Sequence, residues 1–184
     1  MREMTLQAVA GYCYETMLWK LLADLSDELQ RALPEGCLTP DDVTLDGEDF
    51  HVAPQGQKTP SAFCPPEGGG CHNEAALVWS LGALVCYASS GHCIFGGQGG
   101  RYQRSHPTVA LPALRKEHAA LTPLVRRCLC YSPGQRISLK TLHEQALQGL
   151  RTAQQQARMA QRKSSLSAAE DPDVADHVWP DDFE

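Results

Sequence analysis

The stretch Ala75-Ala76-Leu77-Val78-Trp79-Ser80-Leu81-Gly82-Ala83-Leu84-Val85 is apolar on nearly every side of a helix. A helix of that kind is buried all round, so the run predicts a central helix from Asn73 to Ala88 on which the rest of the domain is built. Working outward on the N-terminal side, Leu18, Leu21, Leu22, Leu25, Leu29 and Leu33 recur at three- and four-residue steps, one stripe of a helix between Glu15 and Leu33. Pro34-Glu35-Gly36 opposes its continuation. Asp46-Gly47, between two short β-prone runs, is a turn signal for a small hairpin. Residues 54–73 hold four prolines and four glycines and read as an irregular loop.

On the C-terminal side, the glycine-rich residues 89–107, with Arg101 and Arg104, are expected to form a mobile surface loop. A helix over about 122–130 is expected to have Thr122 as N-cap and Pro123 at its first position. Another, over about 138–160 with Ser138 as cap, carries Leu139, Leu142, Ala146, Leu147 and Leu150 on its apolar face. Trp19 and Trp79 read as core anchors. The expected fold class is mainly α with a small β-hairpin.

Residues 164–184 contain seven carboxylates and no Lys or Arg, more than the whole net charge of −6, which leaves residues 1–163 at +1. This predicts one domain over 4–160 and an acidic disordered tail or linker over 161–184, and gives no broad basic face for nucleic acid. No apolar run approaches the ~20 residues of a membrane span, and the opening residues lack the apolar core of a signal peptide. The expectation is a cytoplasmic protein with its eight cysteines as free thiols.

Four segments in order resemble landmarks of the protein-kinase C-lobe. They are Thr39-Pro40-Asp41-Asp42-Val43-Thr44-Leu45 (catalytic loop), Pro66-Glu67 (the APE end of the activation segment), Val78-Trp79-Ser80-Leu81-Gly82 (the central-helix "DVWSLG") and Cys128-Leu129-Cys130-Tyr131-Ser132-Pro133-Gly134-Gln135-Arg136 ("C-L-x-x-D-P-x-x-R"). The resemblance covers roughly residues 15–150. It puts Glu35, Gly36 and Cys37 at the His-Arg-Asp positions, Asp42 at the metal-binding Asn, and Pro54-Gln55-Gly56 where Asp-Phe-Gly would stand. Phosphoryl transfer needs carboxylates at two of those positions, for the nucleophile and for magnesium, and Cys37 and Pro54 supply neither. No Gly-rich phosphate loop or strand lysine precedes the first helix, so no N-lobe is expected. The resemblance further implies an ion pair between Glu67 and Arg136, and Leu77 replaces the Asp that braces the catalytic loop.

A kinase C-lobe without an N-lobe is similar to the KIND domain (kinase non-catalytic C-lobe domain) of Spire-type proteins and the very-KIND guanine-nucleotide exchange factor. Met4-Thr5-Leu6-Gln7-Ala8-Val9 followed by Leu18-Trp19-Lys20-Leu21-Leu22 looks like that family's start, whereas Gly96-Gly97-Gln98-Gly99-Gly100 departs from it. The resemblance implies a non-catalytic protein-interaction module with no cofactor and no metal, binding a segment of a cytoskeletal protein such as a formin tail or a microtubule-associated protein. The alternatives are an orphan degenerate pseudokinase regulator and, from a different class, a divergent kinase or zinc enzyme.

Glu35, Asp41, Asp42, Asp46, Glu48 and Asp49, with no Lys or Arg among them, form the candidate partner-binding stretch for a basic peptide; the plainer reading is a solvated loop. Cys64, Cys71, His72, His92, Cys93, Cys128 and Cys130 are zinc-type ligands, but no pair has CxxC spacing, and His72 with Cys93 lacks an orienting third residue for nucleophilic catalysis. Trp179 stands among acids and reads either as a short binding motif or as an anchor packing back on the domain, while Ser164, Ser165 and Ser167 follow Arg162-Lys163 as candidate phosphorylation sites.

Overall fold

The computed structural model describes residues 4–53, 62–68 and 73–169. They form a mainly helical domain with one small antiparallel sheet. In chain order the elements are β1 (Met4–Thr5), α1 (Leu6–Val9), α2 (Glu15–Arg31), β2 (Val43–Asp46), β3 (Asp49–Val52), α3 (Glu74–Ser90), α4 (Gly100–Ser105), α5 (Thr122–Cys128) and α6 (Leu139–Ala169), with short 3-10 turns at Pro40–Asp42, Ile94–Gly97, Lys116–Leu121 and Pro133–Gln135.

The central helix α3 has the burial its composition demands: Leu77, Val78, Trp79, Leu81, Leu84 and Val85 are each at most 1% exposed. Asn73 caps its start by accepting from the Ala76 N–H at 2.8 Å, and Gly91 ends it in the left-handed conformation. The α2 stripe is buried from Leu18 to Leu29 against α6, but Leu33, beyond the helix end, is half exposed and does not belong to it. Gly149 stands in α6 where Trp19 of α2 packs on it; a Cβ there would stand 2.5 Å from the indole. The missing side chain is therefore the space that the tryptophan fills.

The hairpin turns at Asp46-Gly47, with Val43 paired to Val52 and Asp46 to Asp49. A third strand that the sequence reading does not anticipate, β1, adds to it through Met4↔Leu45 and Thr5↔Thr44.

Several expectations are corrected. Residues 89–107 are not a loose loop: they hold α4, and Gly99 and Gly100 lie so close to the backbone of Ala62, Cys64 and Pro65 that no Cβ fits at either position. Thr122 is not the cap of α5; it is the first residue of the helix and its hydroxyl accepts from the Leu114 N–H. The last helix runs to Ala169 and not to about 160, so residues 161–169 of the supposed disordered tail are helical. Its end is rich in Ala, Gln, Arg and Met, good helix formers that need no buried face. Residues 170–184, and with them Trp179, lie outside the described residues.

The cysteines are not all free either. Cys37 and Cys64 form a disulfide with Cα atoms 5.3 Å apart, while Cys13, Cys86, Cys93, Cys128 and Cys130 remain thiols. No helix among the described residues is long and apolar enough to cross a membrane.

Candidate functional site: the hairpin platform

The Pro40–Asp42 turn feeds the hairpin and begins at Thr39. Thr39 donates to the Asp42 carboxylate through both its backbone N–H (2.8 Å) and its hydroxyl (2.7 Å), which leaves Asp42 only 3% exposed. Asp42 is therefore a capping carboxylate that closes the turn, and contrary to expectation it is not one of the carboxylates open to a partner. Glu35, Asp41, Asp46, Glu48 and Asp49 are exposed, but they do not form one patch. Asp41 stands before β2 and Asp46, Glu48 and Asp49 cluster at its far end, with Asp46 five residues on, about 16 Å at ~3.3 Å per strand residue.

The turn end is electrostatically built. Asp46 and Asp49 face each other in register, and Lys20 of α2 reaches Asp49 at 2.7 Å and Asp24 at 2.8 Å. Burial pushes the Lys20 ammonium down, but its bonds to Asp24 and Asp49 outweigh that and raise it on balance. The Lys20 partner holds Asp49 below the usual carboxylate range.

Lys20, Asp24 and Glu28 form an i, i+4, i+8 row on α2 that covers the edge of the sheet. Asp24 accepts from the Phe50 N–H at 2.9 Å and Glu28 from the Val52 N–H at 2.7 Å, satisfying the donors that β3 would otherwise present as an open edge. Glu28 also holds His51 Nδ1 at 2.7 Å, and that hydrogen bond raises the imidazole's affinity for a proton.

The segment 62–68 is clamped at several points. Ser80 Oγ donates to the Phe63 carbonyl at 2.8 Å, the Gly100 N–H to the Cys64 carbonyl at 3.0 Å, and the Cys37–Cys64 disulfide joins the segment to the loop before Thr39. Glu67 is brought together with Arg136: both guanidinium Nη atoms donate to its carboxylate, at 2.6 and 2.7 Å. Arg136 also donates to the carbonyls of Cys130, Ala75 and Tyr131.

Gln103 carries a connection that the sequence reading missed. Buried on α4, it accepts from the Trp79 indole N–H at 2.9 Å and donates to the Leu129 carbonyl at 2.8 Å, tying α3 to the end of α5. A buried tryptophan needs an acceptor, which is the signal that could have directed attention to a polar residue nearby.

The other cysteine and histidine candidates do not converge. Cys71, His72 and Pro54 lie outside the described residues, and among the described residues no three His, Cys, Asp or Glu side chains are arranged to hold a metal ion. Burial pushes the Cys86 thiol up to about 12 and the Cys128 thiol still higher, so both behave as small apolar groups.

A groove of about 460 Å³ lies between the start of α2, the β2–β3 turn and the exposed part of α6; its walls include Tyr14, Met17, Lys20, Glu48 and Arg158. Its mix of aromatic, aliphatic and charged walls suits an amphipathic segment. No protein-family model matches the chain, and no curated protein matches it.

Proposed function

We propose that this chain is a non-catalytic module with the architecture of a kinase C-lobe, similar to the KIND domain, that binds a segment of another protein on its hairpin platform. The observation that carries the reading is the commitment of the catalytic-loop positions to structure. Cys37, at the place of the catalytic carboxylate, is bonded to Cys64, and Asp42, at the place of a metal ligand, is enclosed by Thr39. Neither side chain is left to orient a hydroxyl or a metal ion.

Further support comes from the positions that the resemblance pairs. Glu67 and Arg136 form a two-pronged ion pair, Trp79 sits at the centre of the core, and Leu77, at the bracing position, is buried among apolar residues. The disulfide supplies a different fastening for the loop that such a brace would hold.

Binding is assigned to the exposed carboxylates that cluster at the hairpin turn, Asp46, Glu48 and Asp49, through steering and charge-assisted bonds to a basic segment. By resemblance the segment belongs to a cytoskeletal protein, a formin tail or a microtubule-associated protein. The test is fluorescence anisotropy with Lys/Arg-rich peptides. Binding at low salt should weaken steeply as salt shortens the Debye length toward ~3 Å at 1 M, and should fall when Asp46, Glu48 and Asp49 become Asn, Gln and Asn. Affinity indifferent to both changes would refute the assignment.

A further inference from the structure

The last part of α6 is an exposed cationic surface. Beyond Ala153, which is buried, residues 154–165 of the helix are all exposed. Residues 145–169 contain Arg151, Arg158, Arg162 and Lys163 and no carboxylate. None of these four cations has a carboxylate partner among the described residues. At about 100° per residue, Arg151, Arg158 and Arg162 fall within ~40° of one another, a single stripe. Arg158 belongs both to this stripe and to the wall of the groove.

The stretch that follows is its chemical complement: residues 170–184 hold seven carboxylates, no Lys or Arg, and one tryptophan, Trp179. We infer that the acidic stretch 170–184 folds back on its own domain, with its carboxylates along the Arg151/Arg158/Arg162 stripe and Trp179 in the groove beside Arg158.

Reach allows it. From Ala169 to Arg158 is ~16 Å along the helix at 1.5 Å per residue, whereas the ten residues from Ala169 to Trp179 span up to ~33 Å when extended. Tethering makes the encounter intramolecular, at an effective concentration on the order of mM, so a weak electrostatic contact suffices. The groove also sorts the segment's groups. Glu48 on its wall disfavours a carboxylate there, while Tyr14, Met17, Leu45 and Ala157 offer an aromatic ring a largely apolar surface. The acids are left to the arginine side. The docked segment would lie beside Glu48 and the turn carboxylates, so this contact would screen one end of the hairpin platform.

The test uses the full chain labelled with 5-fluorotryptophan, whose three ¹⁹F signals are assigned with Trp179→Phe. At low salt the Trp179 signal should be shifted and broadened, and it should move to its free position both in ~1 M NaCl, where the Debye length is ~3 Å, and in the variant R151E/R158E/R162E. The Trp79 signal should stay in place throughout and so report an intact core. A Trp179 signal already at its free position in the unmodified chain at low salt would overturn the inference, as would a shift that survives the three charge reversals. A shift that disappears on dilution would also overturn it, since the arginine stripe would then be holding a second copy's acidic stretch.

Discussion

Arg136 and Glu67, 69 residues apart, form a bidentate ion pair in which the arginine side chain is fully buried and the glutamate is 20% exposed. A guanidinium has five N–H donors. Arg136 directs them to the two Glu67 oxygens and to the carbonyls of Cys130, Ala75 and Tyr131, so one side chain joins the 62–68 segment, the start of α3 and the turn after α5.

Removing one member of such a pair strands the rest. Arg136→Ala should lower the unfolding free energy by roughly 3–5 kcal/mol, because a partly buried carboxylate and three carbonyls lose their donor. Arg136→Lys should rescue only part of this, since an ammonium cannot reproduce the fork. Glu67→Gln should cost less, about 1–3 kcal/mol, as the amide oxygen still accepts. Urea unfolding of the three variants checks the ranking, and an Arg136→Lys variant as stable as the unaltered chain would contradict it.

At Gly149 two effects oppose each other. Alanine is favoured over glycine inside a helix by about 1 kcal/mol. The new methyl, however, would meet the Trp19 ring at 2.5 Å, and overpacking of that kind costs ~1–3 kcal/mol. The clash should win: Gly149→Ala should lower Tm by a few degrees in a thermal scan, at about 2–4 °C per kcal/mol for a chain of this size. Moving the same Gly→Ala exchange to exposed Gly134, where nothing lies within 4 Å, should not lower it to that extent.

Stability should fall on acidification through His118. This histidine is 2% exposed, with Nδ1 2.7 Å from Ser89 Oγ, and burial, with a smaller contribution from Arg115, holds its pKa below the ordinary value of 6.5. The unfolded chain therefore takes up the proton first, and stability is lost as pH falls below about 6.5. His51 acts oppositely: its raised pKa gives stability that is present below the ordinary value and lost as pH rises through the folded one. Because His51 is half exposed, its contribution is screened and His118 should dominate. Denaturant midpoints from pH 7.5 to 5 should fall, and His118→Gln should flatten the fall; an unchanged slope would contradict the assignment.

The legible parts of the fold are those written in local periodicity: the α2 stripe, the α3 run and the Asp46-Gly47 turn. Four features were not. β1 is two residues long and exists only through its pairing with β2. α4 hides in a glycine-rich stretch because its glycines are demanded by close approach to residues 62–65, a tertiary cause. The Cys37–Cys64 link joins positions 27 apart, and pairing cannot be read from spacing alone. α6 outruns its apolar face on propensity. In the candidate site, residue type alone makes Asp42 a surface acid, although Thr39-Pro40-Asp41-Asp42 has the spacing of a capping box. The Lys20, Asp24 and Glu28 row was visible as helical spacing, but nothing local says that it meets the edge of β3.

The most direct test of the central claim is the thermal stability of the full chain with and without saturating ATP and Mg²⁺. A ligand at 100 times its Kd stabilises a native protein by ~2.7 kcal/mol, several degrees in a chain of this size. With Cys37 bonded to Cys64 and Asp42 closed over by Thr39, the account predicts no change in Tm. A saturable rise with nucleotide that requires Mg²⁺ would contradict it.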